Sequence, residues 1–206
     1  MEIYLIRHGM TAGNHSHRYI GRTDEPLTPE GILEARSAEK LPGCSHVYVT
    51  PLIRTQQTAD ILCPGAEQII ISDLREMDFG DFENRSPEEM EEDTSYRTWV
   101  DAGCAPPCPN GEGYEGFTRR VCASFAAVIR KEQEKNADRV VLILHGGCIM
   151  GIMEHFALPH RTFYEYWTKN CCGYRCTLQD GGPLTLKDTV SFPGEGVLHS
   201  QTMPFP

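Results

Sequence analysis

Long apolar runs are missing from this chain. No stretch approaches the roughly 20 consecutive apolar residues that a membrane-spanning helix needs. The first residues, MEIYLIRHG, carry a glutamate where a secretory signal would carry basic residues, and their apolar stretch is too short for one. We therefore expect a cytoplasmic protein that has no membrane partner.

Basic residues are scarce relative to acidic ones. The chain has 19 Lys and Arg against 29 Asp and Glu, which gives a net charge of −10 at pH 7. A protein of this charge repels nucleic acids and anionic membrane surfaces at long range. We expect no nucleic-acid partner, and an anionic ligand would need a local positive pocket.

Paired metal-ligand spacings are also missing, although cysteine is not. Neither Cys104 with Cys108 nor the group Cys171, Cys172 and Cys176 forms the repeated CxxC pattern of a structural zinc site. In a reducing compartment the nine cysteines are expected to be thiols that pack as small apolar residues. A thiol-redox or zinc protein remains an alternative that rests on cysteine count alone. We expect no metal and no cofactor.

Repeats, low-complexity segments and linkers are absent, which predicts a single domain over residues 1–206. Short runs rich in Val, Ile and Tyr alternate with longer segments of helical spacing, and this alternation predicts an α/β fold with a largely parallel sheet. The predicted strands are residues 2–6, 46–50, 68–72 and 139–145.

Local signals predict the other elements. Helices are expected to begin at the caps Thr28 and Ser86 and at Tyr114. Residues 103–113 are rich in Pro and Gly and are expected to form a loop. The run FYEYW, residues 163–167, is interpreted as a core strand, with stacking on a base or sugar of the substrate as the alternative. The tail after Gly181 is expected to wrap the domain loosely.

Reactive side chains follow the predicted strands. Arg7 and His8 end the first strand, with Asn14 shortly after; Arg54 follows the second, Glu76 the third, and His145 with Gly146 the fourth. Ligands of open parallel sheets bind beyond the carboxyl ends of the strands, so these residues are expected to meet in one crevice. The remaining histidines carry no such placement and are expected to be ordinary: His15, His17, His46, His155, His160 and His199.

The converging residue types suit phosphoryl transfer to an imidazole. Arginine offers a planar fork that meets two phosphate oxygens at once. A neutral imidazole attacks phosphorus through one ring nitrogen when the other is held by an acceptor. A glutamate of raised pKa can protonate the leaving alkoxide. Taken singly, Arg54 or Glu76 is more often an ordinary surface residue; the convergence carries the argument.

Five segments in order, LIRHG, YIGRTDEPLTPEG, TPLIRTQQTA, LREMDFGDFE and LILHGG, resemble the histidine phosphatase (phosphoglycerate mutase-like) superfamily. The resemblance implies a three-layer sandwich, with helices on both faces of a mostly parallel central sheet. It also implies a small phosphorylated metabolite as substrate and residues 77–115 as a cap-like insertion. The implied roles are His8 as nucleophile, Glu76 as proton donor and acceptor, Arg7, Arg54 and His145 as the phosphoryl clamp, and Asn14, Gly21 and Gly146 as substrate-binding positions.

A finer resemblance lies in MDFGDFENR, RTWVDAGCAPP and NGEGYEGFTRRV, which are similar to the α-ribazole phosphatases of cobalamin biosynthesis. It implies hydrolysis of α-ribazole 5'-phosphate. The short segment between Glu76 and His145 favours hydrolysis over mutase activity. The alternatives are a broad-specificity phosphatase, a phosphoglycerate mutase-like enzyme, or a non-catalytic module that binds a phosphorylated ligand. Met10 departs from the family's usual Glu or Gln, so contacts near it are expected to differ. The sequence predicts no oligomeric state.

Overall fold

The central sheet has six strands in the order β3-β2-β4-β1-β5-β6. The computed structural model describes residues 1–41, 43–179 and 183–193. Strands β1 to β4 pair in parallel, whereas β5 and β6 add antiparallel strands beyond β1. The strands are β1 Glu2–Arg7, β2 His46–Val49, β3 Glu67–Ile70, β4 Arg139–Leu144, β5 Gly173–Leu178 and β6 Leu186–Phe192.

Helices cover both faces of the sheet. They are α1 Ala12–His15, α2 Pro29–Ser37, α3 Ile53–Leu62, α4 Thr94–Asp101, α5 Tyr114–Glu134 and α6 Gly146–Phe156. Alternate residues of β1 pack into different clusters: Ile3 and Leu5 join the apolar residues of α5 and α6, whereas Tyr4 and Ile6 join those of α3. This alternation is the period of a strand that is buried on both faces, and the predicted three-layer α/β architecture is confirmed.

Two predicted helices begin as the sequence indicates. The Gly31 amide donates to Thr28 Oγ1 at 3.0 Å, and Pro29 opens α2. Helix α5 begins at Tyr114 and buries the predicted apolar stripe of Phe117, Val121, Phe125, Val128 and Ile129. Residues 103–113 form the expected loop. Seven of the nine free thiols are buried, in line with the expected packing as small apolar residues.

The helix predicted at Ser86 is wrong beyond its first turn. Ser86 and Glu89 form the expected reciprocal cap at 3.1 and 3.3 Å, but only a 3₁₀ turn, Glu88–Met90, follows. The α-helix begins later, where the Asp93 carboxylate accepts the Ser95 amide at 3.0 Å. In a continuous helix the acidic residues between the two caps would repel one another at helical spacing, so such a helix is not favoured here.

Two other expectations near the C-terminus are corrected. The FYEYW run holds a 3₁₀ turn, Phe163–Tyr166, because Thr162 and Glu165 form a reciprocal cap that starts a helical turn. Within the tail after Gly181, the described residues 183–193 contribute the edge strand β6, whose Leu186 and Phe192 are buried, so this part packs against the sheet and does not wrap loosely. Residues 194–206 and His199 lie outside the described residues.

A buried carboxylate lies at the end of the sheet opposite the strand carboxyl ends. Glu132 of α5 accepts from the Tyr48 hydroxyl at 2.8 Å and the Lys135 ammonium at 2.7 Å, and His46 Nε2 lies at 3.1 Å. Burial raises the pKa of Glu132, but the hydrogen bonds from Lys135 and Tyr48 and the nearby His46 outweigh it, so the pKa is lowered. The network stabilises the ionised carboxylate.

We expect Glu132→Gln to weaken the fold in a pH-dependent way. A lowered native pKa contributes stability above the unfolded-state pKa, near 4.5, and loses it as pH falls through the native pKa. The variant should lose about 1–3 kcal/mol of unfolding free energy at pH 7 and less at pH 4. Urea unfolding at both pH values measures this, with exposed Glu134→Gln as control. An equal loss at both pH values would contradict the prediction.

Candidate active site

The carboxyl ends of the parallel strands open on a single cleft. Arg7, His8, Asn14, Glu76 and Gly146 line it. Arg7 stands beside Leu144 in the register of β1 and β4, so His8 and His145 are neighbours with ring centroids 5.2 Å apart. Arg54 and His145 are fully buried. The structure thus brings residues from four distant segments of the chain to one site.

The His8 ring is held in one tautomer. Its Nδ1 lies 2.7 Å from the Gly9 carbonyl, which can only accept, so Nδ1 carries the proton and Nε2 keeps its lone pair. The His8 amide donates to the Leu144 carbonyl at 2.9 Å, and its own carbonyl accepts from Asn170 Nδ2 at 2.9 Å. The backbone is therefore fixed on both sides of the ring.

Electrostatics keep both histidines neutral. Burial, followed by the positive charges of Arg54 and Arg7, lowers the pKa of His8 well below its ordinary value. The pKa of His145 is lowered in the same way, chiefly by burial and then by Arg54. A neutral imidazole with a free Nε2 is the nucleophilic form of histidine.

Both arginines are anchored by backbone carbonyls. Arg54 donates to the Thr23 carbonyl at 2.7 Å and to the Gly21 carbonyl at 3.0 Å. Arg7 donates to the Thr168 carbonyl at 2.7 Å. No carboxylate is among these acceptors, so neither guanidinium charge is neutralised by direct pairing. The arginines are rigid and retain their positive charge for the cleft.

Three buried nitrogens at this site have no hydrogen-bond partner in the part of the chain that the structure describes: Arg7 Nε, Arg54 Nε and His145 Nδ1. The other ring nitrogen of His145 lies 3.0 Å from Thr50 Oγ1. Leaving a buried polar group unpaired costs about 1–3 kcal/mol, so three such atoms together require an explanation. An oxyanion bound between them would accept from both arginine nitrogens, and from His145 Nδ1 in the tautomer that carries its proton there while Nε2 accepts from Thr50.

Glu76 is fixed by two backbone donors. The Gly147 amide donates to Oε2 at 2.9 Å and the Met77 amide to Oε1 at 3.0 Å. Burial raises the pKa of Glu76, against the opposing effect of these hydrogen bonds and of Arg54 and Arg7. A Cβ at position 147 would lie 2.4 Å from Oε1, so the carboxylate requires glycine there. The arrangement provides a carboxyl group whose pKa is raised, as a general acid requires.

Gly21 occupies a different place from the one expected. Its amide donates to Glu83 Oε1 at 2.8 Å and is not available to a ligand, while its carbonyl anchors Arg54. A Cβ at Gly21 would lie 1.8 Å from the Met77 carbonyl oxygen, so the close approach of two backbones explains the glycine. Through its carbonyl Gly21 supports the Arg54 side chain, and a direct role in substrate binding stays a prediction.

The two other predicted substrate-binding positions, Asn14 and Gly146, line the cleft. Asn14 Oδ1 accepts from Asn170 Nδ2 at 3.0 Å, which leaves the Asn14 amide nitrogen as the donor of that side chain. Gly146 opens α6 at the helix N-terminus, where backbone amides favour anions. Met10 is half-buried, and its carbonyl accepts from the Thr28 amide at 2.9 Å.

Sequence reasoning missed several residues of the site. His17, interpreted as ordinary, lines the cleft with Arg18 and adopts a left-handed backbone, φ 51°, just after α1. Their closeness to Asn14 in the chain was the available signal. No local signal points to Asn170 or Thr168, because their contacts with Arg7, His8 and Asn14 span 156 to 162 positions of the chain.

The outer wall of the cleft is aromatic. Residues 77–115, here called the cap segment, contribute part of this wall, and the segment around Phe163 contributes another part. Tyr19 and Trp99 meet edge to face, with centroids 5.7 Å apart, and Tyr114 meets Phe163 at 5.3 Å. The aromatic lining residues are Tyr19, Phe79, Trp99, Tyr114, Phe117, Phe163, Tyr164 and Trp167.

The chain belongs to the histidine phosphatase superfamily (branch 1), whose family model matches residues 3–189. It is accordingly an enzyme of the phosphatase and mutase type. In the described residues, no helix is long and apolar enough to cross a membrane.

Relatives within this superfamily carry two kinds of name. "Probable phosphoglycerate mutase GpmB" of Enterobacter sp. (strain 638) is 31% identical over 95% of this chain and 93% of its own length. The structure of the α-ribazole phosphatase from Shigella flexneri superposes with a TM-score of 0.77, at 24% identity, over 90% of this chain and 94% of that chain. A phosphoglycerate mutase from Thermus thermophilus superposes with a TM-score of 0.63, at 27% identity, over 89% of this chain and 96% of that chain.

Proposed function

We propose that this protein is a phosphomonoester hydrolase that acts through a phosphohistidine at His8. The observation that carries the proposal is the group of three unpartnered buried nitrogens, from Arg7, Arg54 and His145, around a neutral imidazole with a free Nε2. This group offers donors to the equatorial oxygens of a phosphoryl group while Nε2 faces the phosphorus.

In the first step His8 Nε2 attacks phosphorus and the bond from phosphorus to the ester oxygen breaks. Protonated Glu76 gives its proton to the leaving oxygen, so the alcohol departs neutral. The two arginines and His145 stabilise the charge on the transferred group throughout. The products are the alcohol and phospho-His8.

In the second step water attacks the phosphorus of phospho-His8. The Glu76 carboxylate, now ionised, takes a proton from this water, and the nitrogen–phosphorus bond breaks. Inorganic phosphate leaves, and His8 and protonated Glu76 are restored. One glutamate therefore acts as acid in the first step and base in the second.

The wall of the cleft supports α-ribazole 5'-phosphate as the substrate. Its alcohol is an aromatic nucleoside, which stacks on side chains such as Trp99, Phe163 and Trp167. The α-ribazole phosphatase fold of the S. flexneri structure is consistent with this choice. On this proposal residues 77–115 act as the cap that selects the substrate, within a single domain.

A phosphoglycerate mutase-like activity is the second candidate, and the relative named for it at 31% identity favours it. Phosphoglycerate carries a carboxylate that needs a cation of its own. Arg18 also lines the cleft and is not part of the clamp. Its guanidinium already donates to the Glu89 carboxylate and the Asn84 carbonyl, so it is not free to bind the carboxylate of phosphoglycerate. A broad-specificity phosphatase is the other alternative, because binding of any phosphate ester requires only the phosphoryl clamp and the aromatic wall.

We expect α-ribazole 5'-phosphate to be hydrolysed with a kcat/KM about 100-fold above that for 3-phosphoglycerate or p-nitrophenyl phosphate, since burial of an aromatic alcohol is worth roughly 3 kcal/mol. Phosphate release measured on all three substrates tests this. Trp99→Ala should reduce the preference without abolishing p-nitrophenyl phosphate hydrolysis.

Comparable kcat/KM values on all three substrates would support the phosphomonoester hydrolase activity but overturn the α-ribazole assignment. Isomerisation of 3-phosphoglycerate faster than its hydrolysis would establish the mutase candidate. Binding of phosphate esters without turnover would favour the non-catalytic module.

A further inference from the structure

An ion pair outside the clamp contacts the backbone on both sides of Glu76. Glu112 lies just before α5, and Arg120 lies within the first turns of that helix. Arg120 Nε donates to Glu112 Oε1 at 3.0 Å, and a terminal nitrogen donates to Oε2 at 2.7 Å. The two side chains are only 17% and 30% exposed, so the pair is largely shielded from solvent. A two-pronged pair of this kind has a fixed geometry.

Arg120 holds the chain that enters Glu76. A terminal nitrogen donates to the Asp73 carbonyl at 2.8 Å and the Arg75 carbonyl at 3.1 Å, and the other approaches the Glu76 carbonyl at 3.4 Å. The guanidinium also lies over the Phe117 ring, 5.4 Å from its centroid. One side chain thus joins three carbonyls of the acid's backbone to a long helix.

Glu112 holds the chain that leaves Glu76. Its Oε2 accepts from the Asp78 amide at 3.0 Å, and the Glu112 amide donates to the Asp78 carbonyl at 2.8 Å. The backbone is therefore fixed two residues after Glu76 by the same pair that fixes it before. Within residues 73–78, the Cys148 thiol adds contacts to the Leu74 and Arg75 carbonyls.

We infer that Arg120 and Glu112 are positioning residues that set where the Glu76 carboxyl group stands over the leaving oxygen. They do not touch the cleft's reacting atoms themselves. The Glu76 carboxylate is held by backbone amides of Gly147 and Met77, so a shift of residues 73–78 would misplace it relative to α6. General acid catalysis depends on hydrogen-bond reach to the proton acceptor, so such a shift removes protonation before it removes binding.

The inference rests on the proposed hydrolysis and can be tested through the leaving group. A p-nitrophenolate leaves without help, whereas the alkoxide of 2-phenylethyl phosphate needs a proton. Arg120→Gln should lower kcat/KM for the alkyl ester about 30-fold and for p-nitrophenyl phosphate less than about 3-fold, because a well-placed acid contributes roughly 10²- to 10⁴-fold. Glu112→Gln should show the same selectivity to a smaller extent, and KM should change little.

The neighbouring Arg119→Gln is the matched control, because Arg119 is 73% exposed and pairs with the exposed Glu115. Hydrogen exchange of the peptide covering residues 73–78 gives a readout that needs no turnover. Exchange there should be faster in Arg120→Gln than in the wild type or Arg119→Gln, with exchange in the strands of the sheet unchanged.

Equal losses on the two esters, or unchanged exchange in residues 73–78, would overturn the positioning role. Wild-type protein that hydrolysed neither ester would overturn the proposed function instead. In that case the exchange comparison would still decide whether Arg120 holds the segment.

Discussion

Replacing His8 with alanine is expected to lower kcat/KM by about 10⁴-fold or more on every phosphate ester, because the variant lacks the nucleophile that divides the reaction into two steps. The clamp stays in place, since Arg7 and Arg54 are anchored by backbone carbonyls and not by the imidazole. Binding of inorganic phosphate, measured by calorimetry, should therefore change by less than about 10-fold.

A covalent readout accompanies the kinetics. Wild-type protein quenched in base after mixing with substrate should carry one phosphoryl group on the peptide that contains His8, and the variant none. His15→Ala is the matched control, because His15 is exposed on α1 and lies outside the cleft lining. Turnover that survived in His8→Ala, or a phosphoryl group found elsewhere, would contradict the mechanism.

Replacing Glu76 with glutamine is expected to produce the second largest loss, and one that depends on the leaving group. The glutamine amide cannot protonate the leaving oxygen, so kcat/KM for 2-phenylethyl phosphate should fall about 10²- to 10⁴-fold. The kcat/KM for p-nitrophenyl phosphate should fall much less, because p-nitrophenolate leaves without a proton. One hydrogen bond, from the Met77 or Gly147 amide, is also lost, because the glutamine nitrogen offers no acceptor.

The pH profile gives an independent check. The acid must be protonated when the ester bond breaks, and burial raises the pKa of Glu76. In the wild type, kcat/KM for the alkyl ester should fall as pH rises through this raised pKa, and in Glu76→Gln this limb should disappear. Asp73→Asn, a change at an exposed carboxylate nearby, should keep it. An unchanged limb in Glu76→Gln would show that another group supplies the proton.

The parallel half of the sheet was predictable because its strands are continuous apolar runs with reactive residues at their ends. The antiparallel half was not. Strand β5 contains Cys176 and Arg175 of the NCCGYRC run and β6 alternates weakly, so neither carries a strong periodic pattern. The composition of the FYEYW run does not distinguish a short strand from a helical turn. The cap formed by Thr162 and Glu165 favours the 3₁₀ turn that is observed.

In the same way, some residues of the site were predictable from the sequence and others were not. Chemistry-bearing residues that end strands were identified because topology brings strand ends together. Their supports could not be found, since Asn170 and Thr168 reach β1 only through the antiparallel pairing of β5. The substrate-binding role of Gly21 came from the family resemblance alone, and no local signal shows that its amide donates to Glu83, 62 positions away.

The hydrogen bonds between Glu112 and Asp78 have a consequence for how this protein could acquire new substrates. The residues proposed to react lie outside the cap segment except at its border, while part of the wall comes from that segment, so the wall can change while the proposed chemistry is preserved. Asp78 and Glu112 lie near the two ends of that segment and are joined to each other and to the acid's backbone. Sequence between them is open to exchange, and any replacement would have to keep these two end positions as its points of attachment.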